Sequence, residues 1–142
     1  MVGRLVSYDP ATGEPLGEVQ ATPPEEVADV VRRGHAAAGE WRRVEAAERV
    51  AVLEKAYERV GSCKDELAVL LSREMGKDIR RSTGEVKWVF RGGPRMAQSA
   101  REALRPRDIG HGARIEYQPL GVVAVISPWN YPLAMANNFI AP

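Results

Sequence analysis

Cysteine and histidine are scarce in this sequence, which excludes the sites and cross-links that depend on them. Cys63 is the single cysteine among 142 residues, so neither an intrachain disulfide framework nor a zinc site built from thiolates can form. His35 falls in a predicted helix and His111 in a Gly-His-Gly loop, and neither has a partner at metal-ligand spacing. We therefore expect no metal site, and a reducing compartment such as the cytoplasm.

The sequence also lacks a surplus of charge of either sign. Lys and Arg number 20 against 19 Asp and Glu, which leaves a formal net charge of +1. Arginines are interleaved with glutamates over residues 40–49, as on a solvated helix face. Because no whole-molecule field would attract a polyanion, we expect neither nucleic acid nor a membrane surface as a partner.

Long hydrophobic runs are absent too. Residues 1–5 lack the apolar core of a signal peptide. Residues 119–142 carry no charge, but prolines and asparagines interrupt them, whereas a membrane-spanning helix needs about 20 continuous apolar residues. The longest clean apolar piece covers residues 122–126, which is the length of a buried strand.

The pattern over residues 4–20 is typical of a β-hairpin. Apolar and polar side chains alternate over residues 4–8 and again over 16–20, and turn-forming residues fill positions 9–15. An isolated hairpin is marginal in water, so we expect this one to pack against a larger unit.

Four helices are predicted to follow, over residues 22–38, 44–60, 62–75 and 79–104. Thr22 and Ser62 fit capping boxes at the first and third starts, and Gly39 and Gly76 are the predicted ends of those two helices. The apolar side chains expected to face the core lie at helical spacing: Ala46, Val50, Leu53, Tyr57, Val60, Leu67, Leu70, Leu71, Met75, Val86, Val89 and Phe90.

Gly92-Gly93-Pro94 lies in the middle of the fourth predicted helix. A mid-helix proline removes a hydrogen bond and clashes with the preceding turn, at a cost of about 3 kcal/mol, and each glycine adds about 1 kcal/mol. We therefore predict a kink or break at this point.

After residue 106 the periodicity changes from helical to extended. Residues 113–118 alternate as in an edge strand, and residues 122–126 form a β-branched run typical of a strand buried in a parallel sheet. A loop over 127–132 and a helix from Leu133 complete the opening of a βαβ unit, without a second parallel strand. Because buried main-chain groups need partners, we expect a truncated part of a larger protein, or else a chain that borrows strands from a second chain.

Three segments of the chain resemble the aldehyde dehydrogenase superfamily, in the family's order. Residues 117–133 are similar to the last strand before the cofactor domain, the first strand of that domain and the loop after it, and Pro-Trp-Asn-Tyr-Pro over 128–132 is the most specific part. Residues 9–14 resemble the turn of the N-terminal hairpin, and Arg-Glu-Met-Gly-Lys over 73–77 resembles a helix end. Residues 92–94 depart from the family, which normally has an aromatic-bearing helical stretch there.

The resemblance implies an α/β fold, in which an N-terminal β-hairpin and helices lead into the first strand of a Rossmann-like cofactor domain that is incomplete here. The implied divisions are a hairpin and helical region over 1–112, an oligomerisation-type strand over 113–120, and a truncated start of the cofactor-binding domain over 121–142. A homo-oligomer is implied for the full-length protein.

The activity implied by the resemblance is NAD- or NADP-dependent oxidation of a small-molecule aldehyde to a carboxylic acid. In the family a cysteine thiolate attacks the aldehyde, a nicotinamide accepts hydride, and a glutamate activates water to release the acid. The family's nucleophile comes far downstream, so Cys63 is not expected to be catalytic. Because the catalytic Cys and Glu would follow Pro142, we expect the isolated chain to be inactive.

Asn130 matches the family's oxyanion asparagine. A carboxamide N–H₂ is a neutral donor that can point at developing negative charge without a proton to lose. The alternative from the residues alone is that Asn130 caps the helix from Leu133.

Ile126, Ser127, Pro128 and Trp129 match family positions that line the cofactor pocket, largely through main-chain atoms. The carboxyl end of a parallel strand is where an α/β sheet binds its ligand. The alternatives are a proline-bounded loop with Trp129 packed as core and, for the whole chain, a non-catalytic interaction module that docks residues 113–118 onto another chain as an added strand.

Overall fold

The computed structural model describes residues 3–142, which fold into five helices and two small antiparallel sheets. In chain order the elements are β1 (Arg4–Tyr8), β2 (Pro15–Gln20), α1 (Pro24–Trp41), α2 (Ala46–Gly61), α3 (Lys64–Met75), α4 (Ile79–Ala103), β3 (Arg107–Gly110), β4 (Ala113–Ile115) and α5 (Pro132–Ile140). The predicted mixed α/β class is confirmed. No helix of the described residues is both long and apolar enough to cross a bilayer.

The N-terminal hairpin forms as predicted and is tied to the end of α3. Strands β1 and β2 pair with Leu5 opposite Val19, and Asp9 in the turn accepts a hydrogen bond from the Ala11 amide at 2.9 Å. Arg73 of α3 donates from Nε to the Asp9 carboxylate at 3.2 Å. The Ala11 amide and the Arg73 guanidinium hold the pKa of Asp9 below its usual value.

The core lies between α3 and α4. Ala68, Leu71 and Val86 form its buried cluster, and the surrounding half-buried side chains are Leu67, Met75, Phe90 and Leu133. The predicted stripe of α4 is therefore confirmed, and that of α3 is confirmed at Leu67, Leu71 and Met75. It is wrong at Leu70, which is 47% exposed, as is Val60 of the stripe predicted for α2. Burial of these stripes is what stabilises helices of this length, since helix propensity alone is marginal in water.

Helix α4 runs without interruption through Pro94, so the break predicted at residues 92–94 is wrong. Gly93 is buried at the point where α2 crosses α4, and a Cβ there would lie 2.2 Å from the Tyr57 ring and hydroxyl. The Tyr57 ring packs edge-on against Phe90, with centroids 6.1 Å apart. Packing of neighbouring helices along α4 thus outweighs the local cost of the proline and glycines.

Several predicted helix ends are also wrong. Neither Thr22 nor Ser62 is an N-cap: α1 starts after Pro23 without a side-chain cap, and Cys63 holds the N-cap position of α3. Ser62 is instead the C-cap of α2, where its hydroxyl donates to the Arg59 carbonyl at 2.8 Å. Helix α1 continues past Gly39 to Trp41. Gly76 ends α3 as predicted, in the left-handed conformation with φ 62°.

Two predicted strands differ from the structure. The strand predicted over 113–118 is limited to Ala113–Ile115, and it pairs with β3, a strand that the sequence analysis missed. Residues 122–126, predicted as a buried strand, are neither helix nor strand and are exposed, with Ile126 exposed to 93%. The reason is that a strand needs a hydrogen-bonded neighbour, and none of the strands in residues 3–142 lies beside this segment.

Candidate functional site

The five candidate site residues lie together on an exposed loop that leads into α5. All five are exposed, and Trp129 is exposed to 77%; they are Ile126, Ser127, Pro128, Trp129 and Asn130. The alternative in which Trp129 packs as core is therefore wrong. The structure brings the five residues together as neighbours in the chain, on one surface.

The Asn130 side chain does not cap α5, so that alternative is wrong as well. Tyr131 occupies the N-cap position, and no side chain of the cap residue bonds the helix. Within residues 3–142 the Asn130 carboxamide has no hydrogen-bond partner, and the residue is exposed. The group thus meets the first requirement for an oxyanion donor, which is an amide not committed to the protein itself.

A carboxylate from another helix takes the place of the missing cap. The Glu85 side chain of α4 accepts hydrogen bonds on Oε1 from the backbone amides of Leu133 at 3.1 Å and Ala134 at 3.0 Å. These are among the amides that a helix leaves without partners at its start. The negative charge also lies at the positive end of the α5 dipole, which is stabilising.

Lys77 completes this arrangement from the connection between α3 and α4. Its ammonium pairs with Glu85 Oε2, and it lies 3.5 Å from the Asn130 carbonyl oxygen and 4.8 Å from the centre of the Tyr131 ring. The Glu85 side chain is 1% exposed and that of Lys77 16%. The loop that carries Asn130 is therefore fastened by a largely buried ion pair.

The loop also has features that fit a dinucleotide cofactor in part. Ile126 and Trp129 present apolar faces to solvent, and the main chain of residues 122–129 is outside every helix and strand. Exposed apolar faces beside uncommitted main-chain donors and acceptors fit a ligand built of rings and polar groups. The described residues provide no glycine-rich turn between a strand and a helix to hold phosphates, so the fit concerns the rings and the polar groups on them, not the phosphates.

Other chemistry-bearing residues lie apart from the loop. Cys63 occupies the N-cap of α3, and its recorded polar contact is with the Ser62 hydroxyl. His35 and His111 are exposed, and His111 sits in the β3–β4 turn with φ 55°. No cluster of three metal-ligating side chains exists in the described part of the chain.

An apolar groove of about 220 Å³ runs between α2, α4 and α5. Tyr57 lines it and donates its hydroxyl hydrogen to the buried Asn137 side-chain oxygen. Burial raises the pKa of Tyr57 above its usual value. With its hydroxyl hydrogen-bonded and its ionisation disfavoured, Tyr57 acts here as a packing residue that joins α2 to α5.

Sequence reasoning quoted Lys77 as part of a resembling segment but assigned it no role, and it missed Glu85. A signal for Glu85 was present. The buried face of α4 consists of Ser82, Glu85, Val86, Val89, Gly93 and Ala97. A single carboxylate in the middle of an otherwise uncharged helix face indicates a buried, paired charge, because an unpaired one is too costly to bury.

Comparison with protein-family models matches residues 3–142 to the aldehyde dehydrogenase family. Among curated relatives, the chain is 33% identical to a mitochondrial succinate-semialdehyde dehydrogenase of Arabidopsis thaliana, with 97% of this chain and 28% of that protein covered. It is 36% identical to the mitochondrial succinate-semialdehyde dehydrogenase of Homo sapiens, with 92% and 25% covered.

Solved structures give the same result for the fold. An NADP-dependent glyceraldehyde-3-phosphate dehydrogenase from Bacillus halodurans, complexed with NADP, superposes with a TM-score of 0.87 at 30% identity and covers 98% of this chain and 31% of its own. A succinate-semialdehyde dehydrogenase from Burkholderia pseudomallei has a TM-score of 0.88 at 29% identity, with 98% and 30% covered. The chain thus spans about a quarter to a third of the length of these relatives.

Proposed function

The chain belongs to the aldehyde dehydrogenase family, and from this premise we propose that it is the N-terminal part of an NAD- or NADP-dependent enzyme that oxidises an aldehyde to a carboxylic acid. The observation that carries the proposal is the exposed Asn130 carboxamide, uncommitted to any other described group, on a loop whose main chain is fastened by Lys77 and Glu85. The family match over residues 3–142 supports the reaction class.

In this proposal Asn130 donates a hydrogen bond to the oxyanion that forms when a nucleophile adds to the aldehyde carbonyl. The charge on that oxygen develops only as the new bond forms, so a fixed donor stabilises the transition state more than the substrate. One donor of this kind contributes about 10²–10³ in kcat. The carboxamide is suited to the role because it stays neutral throughout the working pH range.

Residues Ile126, Ser127, Pro128 and Trp129 are proposed to line the site of the nicotinamide cofactor. When bound, NAD or NADP supplies the hydride acceptor for the oxidation. The exposed side chains of Ile126 and Trp129 offer apolar contact to its rings, and the free main chain between them offers hydrogen bonds. Which of the two cofactors binds does not depend on any group described here.

The nucleophile of the proposed reaction is not Cys63, which sits at the start of α3 and is exposed beside Ser62. We therefore propose that the 142-residue chain by itself is inactive. Residues 1–112 would form the hairpin and helical region, 113–120 an oligomerisation strand, and 121–142 the start of the cofactor domain. The full-length protein would be a homo-oligomer acting on a small-molecule aldehyde in the cytoplasm.

A non-catalytic interaction module is the second candidate function. It is favoured by the exposed apolar side chains of Val123 and Ile126 and by the short, two-stranded β3–β4 sheet with open edges. Light scattering on the purified chain separates the two candidates. A defined oligomer with protected amides in residues 113–118 supports the module, and polydisperse aggregates support a part of a larger enzyme.

The proposed function is tested on the gene product isolated from its source cells. Its intact mass is compared with 15.6 kDa, the mass of this chain. Formation of NADH or NADPH is then followed by absorbance with a panel of small aldehydes. A larger mass together with aldehyde-dependent reduction of the cofactor is the expected result. A product of larger mass that reduces neither cofactor with any aldehyde would contradict the proposal.

A further inference from the structure

Glu85 is the most deeply buried carboxylate in the described residues, and the structure satisfies it completely. Both oxygens have partners on different elements: Oε2 pairs with Lys77, and Oε1 accepts the amides of Leu133 and Ala134. A buried carboxylate is costly unless it is paired and hydrogen-bonded. An apolar residue here would leave the Lys77 ammonium and the amides of Leu133 and Ala134 without their acceptor, so Glu85 ties α4 to the start of α5 and to the turn that carries Lys77.

The Lys77 backbone is itself held in place before its side chain reaches the loop. Its amide donates to the Ser72 carbonyl at 3.2 Å, and the Ser72 hydroxyl donates back to the Lys77 carbonyl at 2.5 Å. The preceding Gly76 is left-handed and packed so closely that a Cβ would lie 2.8 Å from the Pro10 ring. Lys77 therefore projects from a rigid turn instead of a mobile connection.

Asn130 lies between the two anchors that these side chains provide. The main-chain carbonyl oxygen of Asn130 lies 3.5 Å from the Lys77 ammonium. Three residues further along the chain, the amide of Leu133 donates to Glu85. The Asn130 carboxamide has no hydrogen-bond partner of its own in residues 3–142, so the backbone sets where the side chain starts and which rotamers it can adopt.

We propose that Lys77 and Glu85 form a positioning pair, which fixes the main chain on both sides of Tyr131 and thereby aims the Asn130 carboxamide at the reacting oxygen. The pair touches neither aldehyde nor cofactor and acts through Asn130. The catalytic half of this inference rests on the proposed function, whereas the positioning half rests on the geometry of this chain alone.

The positioning half is tested by amide hydrogen exchange in the natural gene product. In Glu85→Ala the amides of Leu133 and Ala134 should exchange about 10- to 100-fold faster, because a buried hydrogen-bond acceptor has been removed. The amide of Leu71, in the core, should change by less than about twofold. Unchanged exchange at Leu133 and Ala134 overturns the proposal, and so does equal acceleration at all three amides, which indicates general destabilisation.

Two further variants keep this test decisive if Glu85→Ala does not fold. Glu85→Gln preserves side-chain volume and one carbonyl oxygen but removes the charge that pairs with Lys77, and Lys77→Arg preserves the charge. In Glu85→Gln we expect the amides of Leu133 and Ala134 to exchange about 3- to 10-fold faster than in the parent. In Lys77→Arg, which keeps the charge pair, we expect their exchange rates to stay close to those of the parent. Glu102→Gln, on the exposed end of the same helix, is the matched control and should leave both amides unchanged.

The catalytic half is tested by a double-mutant cycle in the natural gene product. Glu85→Gln should lower kcat about 10- to 100-fold with little change in KM, since misplacement of a catalytic group by about 1 Å has effects of this size. In the Asn130→Ala background the same change should lower kcat by less than about twofold. If Glu85→Gln lowers kcat by the same factor in the Asn130→Ala background as in the parent, the proposal is overturned, because Glu85 would then act independently of Asn130.

The two halves also separate failure of this inference from failure of the proposed function. If Asn130→Ala leaves kcat unchanged, the proposed role of Asn130 is wrong, and with it the catalytic half. The exchange rates of the Leu133 and Ala134 amides still decide whether Lys77 and Glu85 hold the loop.

Discussion

The helical region over residues 24–103 and the segment over residues 116–130 obey different rules of folding. Between its two ends, a helix satisfies its main-chain hydrogen bonds from its own residues and needs neighbours mainly to cover an apolar stripe. A strand such as the one predicted over 122–126 needs another strand for every main-chain group. The helices are accordingly formed, and α2, α3 and α5 pack against α4, whereas residues 121–130 are exposed throughout.

This contrast shows that the loop over residues 126–130 is anchored by hydrogen bonds and an ion pair at one of its two ends, the end that leads into α5. Towards α5 it is anchored by Glu85 and Lys77, while on the side of residues 122–126 Val122 lies against Gly34 of α1, where a Cβ would be 3.2 Å from the valine side chain.

The largest expected difference in stability is between Leu71→Ala and Ile126→Ala. Leu71 lies in the buried cluster between α3 and α4, so its truncation should destabilise the chain by about 2–5 kcal/mol. Ile126 is exposed to 93%, so its truncation should change stability by less than about 0.5 kcal/mol. Urea denaturation followed by circular dichroism measures both. Equal losses would show that residues 122–126 are packed after all.

A smaller difference in stability is expected between alanine variants of the two neighbouring glycines of α4, Gly92 and Gly93. Gly93→Ala would place a Cβ 2.2 Å from the Tyr57 ring, so the ring must shift, at about 1–3 kcal/mol. Gly92→Ala meets open space and should stabilise the helix by up to about 1 kcal/mol. Thermal melts of the two variants should therefore move in opposite directions. A stabilised Gly93→Ala would refute the close crossing of α2 and α4.

A further prediction concerns acid stability of the contact between the hairpin and α3. The pKa of Asp9 in the folded state lies below its ordinary value of 3.8. The ionised carboxylate therefore stabilises the folded chain above pH 3.8, and this stabilisation is lost as the pH falls through the folded-state pKa. Asp9→Asn should be less stable than the parent at pH 7, and the gap should close below about pH 3.8. A gap that stays constant from pH 7 to pH 2.5 would contradict the Ala11 and Arg73 contacts.

The smallest effects on stability are expected for the two control variants, Glu102→Gln at an exposed residue and Asn138→Ala at a half-buried one. Glu102→Gln loses an exposed ion pair with Arg105, which contributes at most about 1 kcal/mol. Asn138→Ala, on α5, removes a carboxamide that holds no recorded hydrogen bond in residues 3–142. Both should unfold within about 1 kcal/mol of the parent in urea. A larger loss in either would reveal a contact that the structure does not show.

Local patterns predicted the helices and the first hairpin because the information lies within a few residues. The stripes of α3 and α4, the turn at residues 9–15 and the left-handed Gly76 all follow from spacing or residue type. The unbroken α4 could not be predicted, because it depends on Tyr57 of another helix filling the space above Gly93. The missed β3 strand has too short and too polar a pattern to stand out.

The candidate site was predictable only in part, for the same reason. Asn130 and the residues before it came from resemblance to a known family, and the structure places them on one exposed loop. The helix cap was assigned to the wrong residue, since Glu85, which lies 48 residues from Leu133 in sequence, provides it. Long-range partners of this kind are outside the reach of local patterns.

Kinetics of Asn130→Ala in the natural gene product test the central claim most directly. With NAD or NADP and a reactive small aldehyde, we predict that kcat falls about 10²- to 10³-fold, with little change in KM and with Asn138→Ala at the parent rate. An Asn130→Ala variant that keeps kcat within about twofold of the parent would contradict the assignment of Asn130 as the oxyanion donor.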